Sequence, residues 1–144
     1  TSVFPSLILS MEKTKQTFTS NEISALNWLR LNTGEEDIVL ATLKEGHLIT
    51  SIAHRKNFID SNFMSVGDID ERLLDTYKIY TTTSQTGAIT LLEKYNIDYI
   101  YFSNRAQIEY NVNNLSYVDD QCFPNVFSNN NVKIYESLCV IEEK

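Results

Sequence analysis

Between Asp37 and Asp60 the chain reads DIVLATLKEGHLITSIAHRKNFID, and no other stretch restricts its fold as much. Ile38, Val39, Leu40 and Ala41 form a short apolar run bounded by acidic residues and turn chemistry, the pattern of a strand buried on both faces of a parallel sheet. Leu43-Lys44-Glu45-Gly46 breaks that run. Leu48, Ile49, Ile52 and Ala53 then recur at helical spacing, and Asn57-Phe58-Ile59 resumes an extended pattern that stops at Asp60. Strand, turn, helix and strand in that order make a β-turn-α-β unit, in which the loop after the first strand is the usual place for a ligand.

The flanking segments extend this unit. Thr19 and Glu22 have the spacing of a capping box, so a helix is predicted from there, with Ile23, Leu26 and Leu29 on its apolar face, flanked by Ala25 and Trp28. Gly34, after Asn32 and Thr33, suits a left-handed helix terminus. Trp28 reads as core, the sharper alternative being an exposed sugar-stacking ring. Residues 61–70 read as a loop. A helix follows, with Asp68 as its N-cap and Ile69, Leu73, Leu74 and Tyr77 as its face; Thr83 or Ser84 opens another, carrying Ala88, Leu91, Leu92 and Tyr95 and stopping at Asn96. Ile97 to Phe102 is β-branched and aromatic and reads as a further parallel strand. The alternation predicts an α/β fold, a three-layer sandwich with a mainly parallel central sheet. Ser103 to Asp120 reads as a long surface loop with one helical turn near Ala106, and it carries a glycosylation sequon at Asn114.

The end of the chain has strand-like runs on both sides of Asn129-Asn130-Asn131, which predicts a β-hairpin whose Asn residues take positive φ. With Asn130 and Asn131 as a two-residue loop, Phe127 faces Ile134, Phe123 faces Leu138, and Cys122 faces Cys139. The Cys pair then occupies a non-hydrogen-bonded position, where α-carbons approach to about 4.5 Å, within disulfide reach. Pro124 falls on the same class of position, where its missing amide costs the partner strand nothing. The plainer alternative is two buried free thiols. A disulfide implies an oxidising compartment.

Composition narrows the function classes. At 144 residues one domain is the default, and about 70% of the unfolded surface can be buried. The parsing is residues 1–18 as an N-terminal arm or edge segment and residues 19–144 as a single α/β globular domain. A formal charge of −7 with singly scattered Lys and Arg disfavours nucleic acid and anionic membrane surfaces as partners. No apolar run approaches the ~20 residues of a membrane span, and the start at Thr1 suggests a processed product or an excised piece of a longer protein. Four glycines, at 34, 46, 67 and 87, form no phosphate-cradling loop. His47 and His54 flank the short helix at a spacing that shares a helix face, and Glu45 or Asp60 would complete a metal set, but no H-x-x-x-H or C-x-x-C pair accompanies them. No metal site is assigned on these grounds, nor any catalytic residue, since there is no nucleophile elbow. The candidate contact surface is the turn at the carboxyl end of the first strand, Thr42, Lys44, Glu45 and His47, with Arg55 as anion or sugar-hydroxyl ligand and Asp60 beside it.

Several stretches read together resemble a known family: E-x-x-A-L-x-W-L-R-x-N-T from Glu22, V-L-A from Val39, G-H-L-I from Gly46, A-H-R from Ala53, L-L-E-K-Y-N-I-D-Y-I-Y from Leu91 and V-K-I-Y-E from Val132. This order resembles the soluble C-terminal domain of archaeal multi-pass membrane glycosyltransferases, whose well-described relatives are the catalytic subunits of oligosaccharyltransferase. Those enzymes carry W-W-D-Y-G, an acceptor-recognition motif, where this chain has Thr42-Leu43-Lys44-Glu45-Gly46, so acceptor recognition does not carry over. The resemblance implies a non-catalytic, extracytoplasmic domain for substrate positioning or assembly, without a cofactor of its own. Its partner would be the membrane-embedded part of the same polypeptide, with a lipid-linked sugar or acceptor nearby; the acidic catalytic residues and any divalent metal would belong to that part. A stand-alone secreted or cell-surface interaction domain is the rival reading, and a small enzyme with an acidic, metal-assisted pocket is a third.

Overall fold

A computed structural model describes residues 18–59 and 66–141. Helix α1 (Ser20–Asn32) leads into β1 (Ile38–Leu40), a 3-10 turn (Leu43–Glu45), α2 (Gly46–Ser51) and β2 (Lys56–Asn57). Two helices follow, α3 (Val66–Thr81) and α4 (Gln85–Lys94), then β3 (Tyr99–Ser103), α5 (Asn104–Tyr110) and the hairpin β4 (Asn125–Ser128) and β5 (Val132–Glu136). The sheet order is β2-β1-β3-β5-β4. β1 runs parallel to both β2 and β3, while β5 is antiparallel to β3 and β4. This is the expected mixed α/β sandwich with a parallel centre and a C-terminal hairpin.

Alternation along the strands builds two cores. Leu40, Ile100 and Phe102 face α3, α4 and α5 through Ile79, Tyr80, Ile89, Leu92 and Ala106. Val39, Ala41, Tyr99 and Tyr101 face α1 and α2 through Ala25, Leu26, Leu29, Leu48 and Ile49. β3 is buried at every position, as a strand covered by helices on both faces must be. Trp28 is half-buried and packs on Phe127 of the hairpin, with ring centroids 5.9 Å apart.

The capping box at Thr19 and Glu22 is present in both directions. Four details differ from the sequence expectation. Helix α1 ends without a left-handed glycine: Thr33 is the extended C-cap, and Gly34 is held instead by its amide donating to Asp37 Oδ2 at 2.7 Å. Helix α3 begins at Val66, so Asp68 lies inside the first turn, where its charge complements the helix dipole, rather than acting as N-cap. The inward face of α3 is also rotated. Leu74 and Tyr77 are about half exposed, whereas Asp75, Thr76, Ile79 and Tyr80 are buried. Asp75 tolerates this because the Tyr95 hydroxyl and Lys94 bond its carboxylate. Finally, the stretch after β3 is more than a surface loop. It forms the two-turn helix α5 and sends Leu115 and Tyr117 into the core, while Asn114 stays exposed between them and the helix.

The hairpin loop closes as expected at Asn129 and Val132, but its asparagines do not take positive φ. Asn129 Oδ1 accepts from the amides of Asn131 and Val132, both at 2.9 Å, so a side chain substitutes for a left-handed backbone. Phe127 faces Ile134 as expected. A bulge then shifts the register by one residue, so Asn125 faces Tyr135 and Phe123, buried, no longer faces the half-exposed Leu138. Pro124 therefore sits where its carbonyl accepts the Glu136 amide, at 3.0 Å, rather than at a non-bonded position. The disulfide forms despite the slip. Cys122 accepts the Leu138 amide and its sulfur reaches the next residue, Cys139, across an α-carbon separation of 4.9 Å.

Candidate functional site

The turn after β1 is built from its own polar side chains. Thr42 caps the 3-10 turn by accepting the Glu45 amide at 3.2 Å, and Glu45 Oε1 accepts the Thr42 hydroxyl at 3.0 Å. The other carboxylate oxygen accepts the Ser103 hydroxyl at 2.5 Å. Ser103 in turn caps α5 by accepting the Ala106 amide at 3.1 Å. One carboxyl thus joins the ends of β1 and β3 to the start of a helix, and it is 1% exposed. Burial pushes its pKa up, against the lowering effect of the Ser103 and Thr42 bonds. Above it, the Tyr80 hydroxyl donates to the Tyr101 carbonyl at 2.9 Å and fastens α3 to the same strand ends. Burial, and next the Glu45 charge, hold the Tyr80 and Tyr101 hydroxyls well above the ordinary tyrosine range.

A second buried carboxylate stands beside this network with the opposite balance. Burial alone would raise the pKa of Glu22, but the Arg105 guanidinium, with Nε at 2.6 Å, and the Thr19 amide at 2.9 Å outweigh it and hold the group below its usual value. Arg105 also lies over the Phe18 ring. The arrangement positions helices and turns. Neither carboxylate is aimed at open solvent, so the carboxyl end of the sheet holds structural polar groups rather than a visible acid-base pair.

The sequence-selected residues are therefore separated by the fold. Thr42 and Glu45 are buried; Lys44 and His47 are exposed on the same turn and are the accessible part of the expected surface. Gly46 is fixed by space, because a Cβ there would collide with the Asn57 side-chain amide and the Ile59 carbonyl. Arg55 is not beside the turn. Helix α2 runs back along the sheet, so Arg55 enters β2 next to the start of β1, where Lys56 pairs with Ile38. There it is 7% exposed and closes the end of α1, with Nη2 donating to the Arg30 and Thr33 carbonyls at 2.7 and 2.8 Å and Nε donating to Thr33 Oγ1 at 2.8 Å. Asp60 lies outside the described residues. His47 and His54 do not share a helix face, since α2 stops at Ser51 and His54 has φ 57°. Among the described residues no three His, Cys, Asp or Glu side chains converge as a metal-holding group.

Sequence reasoning missed a cavity of about 550 Å³ at the amino end of the sheet. His54, Lys56, Phe58, Arg72 and Tyr95 line it together with Glu35. These residues come from four separate segments, and no spacing in the sequence announces their meeting. The nearest signal is Tyr95 directly before a residue that stops its helix, which puts an aromatic ring at a strand's entry.

Among solved structures, the crystal structure of the C-terminal globular domain of oligosaccharyltransferase from Archaeoglobus fulgidus is similar to this chain. The two are 17% identical and superpose with a TM-score of 0.63 over 84% of this chain and 99% of that one. At that identity the likeness establishes a shared fold. No family model and no curated protein matches the sequence.

Proposed function

We propose that this chain is the non-catalytic globular domain of a membrane protein related to polyprenyl-phosphate-sugar-dependent glycosyltransferases, serving substrate positioning or assembly on the extracytoplasmic face. The observation that carries this reading is the co-extensive fold match, which takes in nearly the whole of a domain that in its own protein is the C-terminal globular part of an oligosaccharyltransferase. The Cys122–Cys139 disulfide supports an oxidising compartment. Among the described residues no helix is long and apolar enough to cross a membrane, so in this reading the spanning part, and with it any catalytic acid or metal, lies elsewhere in the parent polypeptide. The partner is that membrane-embedded part, with a lipid-linked sugar or acceptor held between the two.

Within the turn, Lys44 and His47 are the groups able to touch such a partner, because Thr42 and Glu45 are committed to each other and to Ser103. The test begins with the reading frame upstream of Thr1 and the membrane fractionation of the full-length protein. Several segments of spanning length and recovery in the membrane fraction are expected; a signal peptide with no spanning segment would overturn the proposal in favour of a secreted or cell-surface interaction domain. In the full-length protein, replacing Lys44 and His47 together with Ala is expected to reduce sugar transfer while the domain stays folded. Unchanged transfer removes the turn from the contact surface.

A further inference from the structure

The cavity at the amino end of the sheet concentrates positive charge in an acidic protein. Arg55, Lys56 and Arg72 line it against one carboxylate, Glu35, while the chain as a whole carries −7. The first two cations are already matched. Arg55 is bonded to the carbonyls that end α1, and Lys56 pairs with Glu36 at 2.6 Å. Arg72 differs. Among the described residues it has no carboxylate partner, and its one hydrogen bond runs from Nη1 to the Phe58 carbonyl at 3.0 Å. Its guanidinium is otherwise supported by two rings, Phe58 at 4.8 Å and Tyr95 at 5.4 Å.

That setting orients the guanidinium without neutralising it. The Tyr95 ring is itself anchored, its hydroxyl bonded to Asp75, so the platform under Arg72 does not depend on a ligand. A guanidinium stacked on aromatic faces keeps its in-plane donors for a planar or tetrahedral anion, and a volume of 550 Å³ admits a body the size of one or two sugar rings. We infer that this cavity is a binding site for a small anionic ligand bearing a phosphate or carboxylate group, with Arg72 as the anion anchor and Lys56 and His54 among the residues lining it. The inference stands independently of the membrane-domain reading, because it rests on the cavity alone.

The test is a titration of the 144-residue chain followed by amide chemical shifts, with three probes: glucose 1-phosphate, glucuronate and glucose. Saturable shifts confined to residues 54–58, 72 and 95 are expected with one or both anionic probes and not with glucose; which anion binds identifies the source of the charge. Arg72→Gln should weaken binding about tenfold or more, the worth of a charge-assisted hydrogen bond. Arg72→Lys, which keeps the charge but not the fork, should lie between, and Lys133→Gln, on the exposed side of β5, should bind as the parent does. Shifts scattered over all surface lysines, no saturable binding by either anion, or equal affinity in a folded Arg72→Gln variant would each overturn the inference.

Discussion

The two ends of the parallel strands solve the same problem, unsatisfied polar groups at element ends, in opposite ways. At the carboxyl end the groups are matched to one another: Thr42, Glu45 and Ser103 form one closed set, Thr19, Glu22 and Arg105 another. At the amino end the chain is clamped from outside the sheet. Arg55 closes α1, and the disulfide ties the segment after β5, which returns here through the Ser137 amide on the Asp98 carbonyl, to the loop before β4. The first solution fills space with polar side chains; the second leaves a cavity rimmed by cations. The end where an α/β fold usually offers its ligand site is therefore the end this chain has filled.

This contrast can be broken at several points. The largest effect is expected from replacing Cys122 and Cys139 with Ser. The bridge spans a sequence separation of 17, for which the chain-entropy contribution is about 3 kcal/mol, and urea unfolding of the oxidised parent against the variant measures it. Gly46→Ala tests how tightly the turn abuts β2. With the Asn57 amide and Ile59 carbonyl in the way of a Cβ, a loss of about 2–3 kcal/mol is expected in the same assay, and a neutral result would mean the turn can move away from the strand. Arg55→Met should cost about 2 kcal/mol by leaving the α1 carbonyls without donors, with Arg55→Lys intermediate.

The subtlest effect is on pH dependence, and it sharpens the contrast within the carboxyl end itself. Glu45 has a folded pKa raised from 4.5, so the stability it contributes is complete below that value and is lost as pH rises through the folded value. Glu22 has a lowered pKa, so its contribution is present above 4.5 and is lost as pH falls through the folded value. Glu45→Gln should therefore gain on the parent as pH rises above 4.5, while Glu22→Gln should fall behind the parent as pH rises toward 4.5 from below and keep a constant deficit above it. Thermal unfolding of both variants from pH 3 to 7 reads the two slopes, and slopes of the same sign would contradict the assignment.

Replacing Glu45, His47 and Arg55 together as a probe of the contact surface would confound folding with function. Two of the three are buried and bonded at opposite ends of β1. From the sequence, Arg55 and the turn look like neighbours because only eight residues separate Gly46 from Arg55. A short helix followed by a parallel strand spends that distance on returning to the strand's start, so nearness along the chain becomes separation along the sheet. The bulge in the hairpin is a smaller case of the same kind. Phe127 and Ile134 are readable as partners from loop length, but the one-residue slip beyond them depends on Phe123 seeking the core.

The sequence by itself determined what local physical chemistry decides: the capping box at Thr19, the strand-turn-helix-strand order from Asp37 onward, a helix opened at Thr83 or Ser84 and stopped at Asn96, the hairpin, and a Cys pair placed within disulfide reach. Each needs only groups a few residues apart or a period that a strand or helix imposes. The tertiary structure alone decided which polar side chains became interior. Glu45 is buried where Ser103, 58 residues away, meets it; Asp75 is buried where Lys94 and the Tyr95 hydroxyl bond its carboxylate; Arg72, without a carboxylate among the described residues, rests on rings from the residue after β2 and from the end of α4. A charged group pays for burial only through partners, and the partners here are remote in sequence, so no reading of the chain in order assigns them.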